Sequence, residues 1–438
     1  MSTTSSAVGR GRRTSALDRS WLDHWTVLAI LPIRSPDLLE LRSDMMQFME
    51  SDPKHPMCCT LEEDGRRWRP VEPQHRRQYL EEVIVSAGAF PREDPFGYLV
   101  EHRPMAESTA PYKLMVGPDS VTCYFAHPLG DAAVFSPFTV LMALGDVEGL
   151  RPLRSDAGLA TAGRILLKEL PQHGRDWWKH LRSGSGAAPA GQGNADASPT
   201  MPANTEAAGV LVSAADVNRF KAWRKSTCPD VSTTALMASA TYRTLSSQQI
   251  PLNGTGFYTL VDLRRHLPKR DALRPGNFAK SVYVPADMAK PAEVGAAMKQ
   301  LIGSARAVPA LFSGALSVAR GHRSPGATHA GGPLTLTFNS MMHNPGIDHI
   351  PWIDPSKARY ISMSYPVSMD GISVMACAVE GQLEFTASFN PGAVDRGRVQ
   401  QALTALHDLP SLLAEPPREP AVVLNGKPVI AGGRNSVS

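Results

Sequence analysis

The stretch VTCYFAHPLGDAAVF, residues 121–135, decides how this chain reads. Val121 to Ala126 has the apolar, β-prone character of a buried strand. It follows a second such run, YKLMV at 112–116, and the turn-forming residues Gly117, Pro118, Asp119 and Ser120. Two strand-like runs joined by a short turn predict a hairpin. That hairpin delivers His127 to the start of a loop, where an imidazole can project into a cleft rather than a core. A tight turn through Pro128, Leu129 and Gly130 would then fold Asp131 back towards the strand end. Ala132 and Ala133 leave little bulk beside it, and AAVFSPFTVLMALG at 132–145 reads as an apolar helix lying on the sheet.

Working outward, the chain has 438 residues, of which 42% are hydrophobic. That exceeds what one core usually serves, so two lobes are expected. The charge balance, 45 basic against 41 acidic residues, gives no basic stripe of the kind that grips nucleic acid. No apolar run reaches the length that spans a bilayer, and Asp23 and His24 ahead of WTVLAILPI do not suit a signal peptide. Five cysteines without a Cys-x-x-Cys pair read as reduced thiols in a cytoplasmic protein.

Composition divides the chain. Residues 1–16 and 416–438 read as disordered tails, and the Gly/Ala/Pro/Ser-rich run 183–209 as a flexible linker. Between them lie an N-terminal lobe, 17–182, and a C-terminal lobe, 210–415. In the first lobe, SPDLLELRSDMMQFMES from Ser35 has a helix start and helical spacing. In the second, helices are expected after Ser213 and over 231–245, with strands at GFYTLVDLR, PLTLTFNSMM, ISMSYPVSM, ISVMACAVEG and QLEFTASF. The last two would form a hairpin turning at Glu380 and Gly381, and a helix over VDRGRVQQALTALHDL would close the lobe. Interleaved helices and strands place the fold class as α/β (α+β), with mixed sheets flanked by helices.

The segment HPLGDA, behind a hairpin strand and ahead of an apolar helix, resembles the His-His-x-x-x-Asp-Gly signature of the condensation-domain and CoA-dependent acyltransferase superfamily. Ala126 stands at the first histidine of that signature and Ala132 at its glycine. TLVDLRRHLP followed by GNF is similar to the Val-Asp-Leu-Arg and Gly-Asn segment of alcohol-acyltransferase and wax-synthase-like members. LTLTFNSMM, the stretch 365–395 and HPMCCTLEEDGRRWRPV resemble further parts of them, so the likeness covers most of 17–415 in the right order. The resemblance implies two chloramphenicol-acetyltransferase-like lobes with an active-site channel between them. It also implies an acyltransferase that moves an acyl group from a thioester to a hydroxyl or amine, forming an ester or amide. The setting it implies is bacterial secondary metabolism or lipid assembly.

His127 is then the catalytic general base, since an imidazole titrates near working pH. A second role, positioning the acceptor, stays open. Asp131 is structural and pairs with Arg264, the partner the resemblance implies; Arg265 is the competing partner. Ala132, Asn277, Asn339, Ser340, Ser362 and Ser364 are candidate channel-lining residues, with Tyr365 beside them. No permanently bound cofactor is expected. The co-substrate would be acyl-CoA or a phosphopantetheine-linked acyl group on an acyl or peptidyl carrier protein, and the acceptor a small alcohol or amine. No metal, nucleic acid or membrane span is expected, and the chain is expected to be a monomer. His343, Asp348 and His349 are close in sequence, but Pro345 and Gly346 make that stretch a turn rather than a metal site. No Walker loop, dinucleotide fingerprint or Gly-x-Ser-x-Gly elbow is present. Two other readings remain: a catalytically silent platform that recruits a carrier protein or enzyme, and an epimerase or cyclase on the same fold.

Overall fold

The computed structural model describes residues 11–22, 24–104, 108–155, 158–183, 205–271, 274–321, 332–366, 370–414, 423–424 and 427–428. In chain order the strands are β1 (Arg12–Arg13), β2 (Trp25–Leu31), β3 (Cys59–Leu61), β4 (Arg67–Pro70), β5 (Ile84–Ser86), β6 (Tyr112–Val116) and β7 (Val121–Ala126). Then come β8 (Glu206–Val212), β9 (Gly256–Asp262), β10 (Ala279–Pro285), β11 (Thr335–Met341), β12 (Arg359–Ser364), β13 (Gly371–Val379) and β14 (Gln382–Phe389).

Two mixed sheets carry the molecule. One has the order β12-β2-β7-β6-β5, antiparallel except where β5 meets β6. The other has the order β10-β9-β11-β13-β14-β8, with β11 parallel to both neighbours. Helices flank both, as the alternation of elements requires. The expected hairpin of β6 and β7 forms, with Val116 opposite Val121. The turn between β13 and β14 also forms, with φ of 46° at Glu380 and 78° at Gly381. Capping is as read: Asp37 caps the helix Leu38–Ser51 and Ser213 caps Ala214–Thr227.

Four features depart from the sequence reading. The strand β8 begins inside the expected linker and pairs along its length with β14. Its small residues, which read as linker composition, serve close approach. A Cβ on Gly209 would lie 2.1 Å from the Phe96 ring and 2.6 Å from the carbonyl of Phe385. The rest of that linker, 184–204, lies outside the described residues, as do residues 1–10 and most of 416–438. Within the expected N-terminal tail, Arg12 and Arg13 pair with Trp68 and Arg67 of β4.

The lobe boundary is also not sequential. Ala16 and Leu17, and Ala162, Ile165 and Trp177 of the helix Leu159–Ser183, pack into the core of the second sheet. In the other direction β12, late in the chain, joins the first sheet beside β2. It remains tied to the second by Arg359, whose guanidinium grips the fully buried carboxylate of Glu384 at 2.7 and 2.8 Å. Lastly, the run GFYTLVDLR ends as a strand at Asp262, and 263–266 form a tight turn.

Among the described residues no single helix is long and apolar enough to cross a membrane. The apolar helices Pro291–Gly303 and Ala307–Ala319 bend by 63° against each other and bury Val294, Leu301, Val308 and Leu311 in the second core.

Candidate functional site

The strand β7 is buried at every position and ends at Ala126 because His127 opens a tight turn with Pro128 as its second residue. Proline fixes its own φ and donates no backbone N–H, so the ladder stops there. Gly130, at φ 154°, lets the chain double back, and its N–H bonds the carbonyl of His127 at 3.0 Å. A side chain there would meet Val134 at 2.5 Å. Asp131 then caps the helix Ala132–Leu144, accepting from the N–H of Ala133 at 3.1 Å.

The Asp131 carboxylate is the meeting point of both lobes. Arg264 approaches it with two N–H groups, at 2.7 and 2.9 Å, and both side chains are about 5% exposed or less. The N–H groups of Phe278 and Ala279 add bonds at 2.9 and 3.2 Å. Arg264 also donates to the carbonyls of Arg274 and Gly276 and to Asp262. The competing candidate, Arg265, is exposed, and among the described residues it bonds the Asp262 carbonyl and not Asp131. The partner the resemblance implied is therefore the one the fold uses, and it sits in the tight turn 263–266 rather than on the strand expected there.

His127 is 8% exposed. Its backbone N–H bonds the carbonyl of His24 at 2.9 Å, and its Nε2 hydrogen-bonds Thr26 Oγ1, also at 2.9 Å. Trp21 stacks on the ring at 4.8 Å and Phe135 meets it edge-on at 5.0 Å. Burial, ahead of the nearby His24, pulls the imidazole pKa down to about 3. The ring is therefore neutral at physiological pH, with one nitrogen able to take a proton.

Beneath it lies a group the sequence reading missed. Asp18, 3% exposed, follows Ser15 in a short capped helix and accepts from Ser15 and Ser155 on one oxygen. Its other oxygen takes the Nδ2 of Asn277 at 2.9 Å and its backbone N–H at 3.3 Å. Asn277 Nδ2 also donates to the carbonyl of His127 at 2.8 Å. Burial pushes the Asp18 pKa up to about 6, against the bonds that lower it. The Ser-x-x-Asp pattern of SALD was a visible helix start, but nothing in sequence joined it to residue 277.

The remaining candidates divide. Ala132 is exposed at the mouth of its helix. Ser364 is half-buried, bonds Ser373 and lies opposite Thr26 across the β12–β2 pairing. Ser340 bonds Thr234 at 2.8 Å, and Asn339 accepts from the N–H of Leu260, tying β11 to β9 where only one residue pair bridges them. Asn277 and Ser362 are corrected: at 0% and 1% exposure neither lines a channel. Asn277 is enclosed because its amide spans Asp18 and His127; Ser362 because β12, paired with β2 in the first sheet, packs against β13 and β14 of the second. Tyr365 is likewise buried. His343, Asp348 and His349 fall on a loop with a single tight turn at 347–349, and no metal-binding cluster occurs among the described residues.

No protein-family model matches this chain, and no curated protein sequence matches it. Solved structures do share its fold. The trichothecene 15-O-acetyltransferase from Fusarium sporotrichioides aligns over 94% of this chain and 97% of its own, at TM-score 0.59 and 13% identity. The first condensation domain of the calcium-dependent antibiotic synthetase aligns over 95% and 99%, at TM-score 0.57 and 14% identity. The epimerization domain from the third module of tyrocidine synthetase B aligns over 90% and 92%, at TM-score 0.52 and 13% identity. The chain thus has the two-lobed fold of condensation domains and CoA-dependent acyltransferases, as the resemblance in its sequence implied.

Proposed function

We propose that this protein is an acyltransferase that moves an acyl group from a thioester to the hydroxyl or amine of a small acceptor. The observation that carries the reading is His127, a neutral imidazole at a strand end, on a turn clamped from the other lobe by Arg264 through Asp131. A base for this reaction must be fixed in direction, which the clamp supplies, and must have a pKa near working pH; burial holds the resting ring well below that, and the polar acceptor and thioester entering beside Nε2 offset that desolvation.

In the reaction, Nε2 takes the proton of the acceptor O–H or N–H as that atom attacks the thioester carbonyl. The tetrahedral intermediate collapses, the C–S bond breaks, and the proton on Nε2 passes to the leaving thiolate. An ester or amide and a free thiol result, and no covalent enzyme intermediate is formed. Thr26 holds Nε2 in the resting site, and the incoming acceptor takes over that bond. The donor is acyl-CoA or an acyl chain on the phosphopantetheine arm of a carrier protein.

The test is thiol release from acyl-CoA donors of graded length and from acyl-carrier proteins, with candidate alcohols and amines, wild type beside His127→Ala. Acceptor-dependent release that falls at least about 100-fold in the variant supports the reading. Absence of release from every donor would favour the recruitment platform. Substrate conversion without thiol release would favour epimerase chemistry.

A further inference from the structure

We infer that Asn277, held by Asp18, is the positioning residue that keeps the proton of His127 on Nδ1 and so leaves Nε2 as the hydrogen-bond acceptor, of Thr26 in the resting site and of the substrate in the reaction. The inference deepens the acyl-transfer reading and rests on it for its catalytic consequence, though not for its structural one.

The amide orientation of Asn277 follows from its surroundings. One end of the side chain faces the Asp18 carboxylate and the His127 carbonyl, at 2.9 and 2.8 Å. Both are acceptors, so that end must be the NH2 group. Its Oδ1 is then directed away from them, buried, and without a hydrogen bond. The Nδ1 of His127 is the matching orphan: it too is buried and makes no hydrogen bond. An acceptor and a ring nitrogen left unpaired in one buried cluster cost free energy unless they satisfy each other. A proton on Nδ1 allows that, because it turns the ring nitrogen into a donor for Oδ1. A proton on Nε2 would leave two acceptors, Nδ1 and Oδ1, in the same enclosure.

Asp131, the residue of the motif, plays a different part. Its oxygens are taken up by Arg264 and by backbone N–H groups, and none of its bonds reaches the imidazole. Asp18 instead fixes the amide by accepting both the Nδ2 and the backbone N–H of Asn277. Asp18 comes from the N-terminal segment, Asn277 from the far lobe and His127 from the hairpin, so the arrangement exists only when all three have docked.

The experiment is long-range 1H–15N correlation on the full chain labelled with 15N-histidine at pH 7.5, with the His127 ring identified by its loss in His127→Ala. The expected wild-type signal is a neutral ring protonated on Nδ1; a ring protonated on Nε2 would overturn the proposal. Asn277→Ala should mix the tautomers. Asp18→Asn, whose amide oxygen can still accept from Asn277, should keep the wild-type pattern, and Asp18→Ala should not. An unchanged tautomer in a folded Asn277→Ala would also overturn it. If Asn277→Ala does not fold, the contrast between the two Asp18 variants decides. In the thiol-release assay Asn277→Ala should lower kcat about 10- to 100-fold with KM little changed. A wild type that releases no thiol sinks the transfer reading alone, while the tautomer measurement still judges the brace.

Discussion

Replacing Asp131 by alanine tests the clamp on which the site depends. The change removes the partner of a guanidinium that is 5% exposed, and also the acceptor of three backbone N–H groups, those of Ala133, Phe278 and Ala279. Stranding one member of a buried pair costs about 3–5 kcal/mol. Arg264 keeps Asp262, whose carboxylate is 58% exposed, and the carbonyls of Arg274 and Gly276. Those contacts bring the expected loss to the lower end, about 3 kcal/mol. For a cooperative unit of lobe size this is a fall in Tm of roughly 6–12 °C. Arg264→Met should cost a similar amount. The double variant should cost less than the sum of the singles by about 1–3 kcal/mol, since the two side chains act on one another. Thermal and urea melts of the four proteins measure this. Singles that add without coupling, or an Asp131→Ala protein melting within about 2 °C of wild type, would refute the argument that this pair joins the lobes.

Two further outcomes follow from buried charge. His55 is fully buried, its Nε2 has no partner, and desolvation lowers its pKa from 6.5 to about 4. The unfolded chain therefore binds more protons than the native one between these values, so stability is whole above pH 6.5 and declines as pH falls towards 4. The raised pKa of Asp18 acts in the opposite sense between 3.8 and about 6, where the native chain holds the extra proton. His55→Leu should flatten the acid decline in a series of melts from pH 7 to 4.5, and an unaltered slope would count against it. Arg359→Met leaves the Glu384 carboxylate, 0% exposed, without its cation. Denaturant melts should show a loss of about 3–5 kcal/mol, largely restored by adding Glu384→Gln; no restoration would mean that the pair is not what binds β12 to the second sheet.

Much of the site was legible in sequence because it is local. A strand run, a proline, a glycine and an aspartate followed by an apolar helix specify a turn that returns Asp131 beside the strand end, and short-range sterics are enough to say so. The hairpins, the caps at Asp37 and Ser213 and the turn at Glu380 and Gly381 were readable for the same reason. The pairing of Asp131 with Arg264 came from family resemblance, since charge alone left Arg265 in play. Small residues misled where their purpose was contact: the Gly209 segment read as linker because composition does not distinguish chain that must bend from chain that must touch Phe96.

Other features belong to the tertiary structure alone. That β12 leaves its own half to pair with β2 depends on which sheet edge is open once the cores have formed. Thr26 reaches His127 only through the register of β2 on β7. Asp18, Asn277 and His127 are separated by more than a hundred residues at each step, and their hydrogen bonds are directional over about 3 Å. A sequence shows which groups can make such bonds. Which of them do is set by the docking of two lobes and an N-terminal segment, a global minimum of packing that no local pattern encodes.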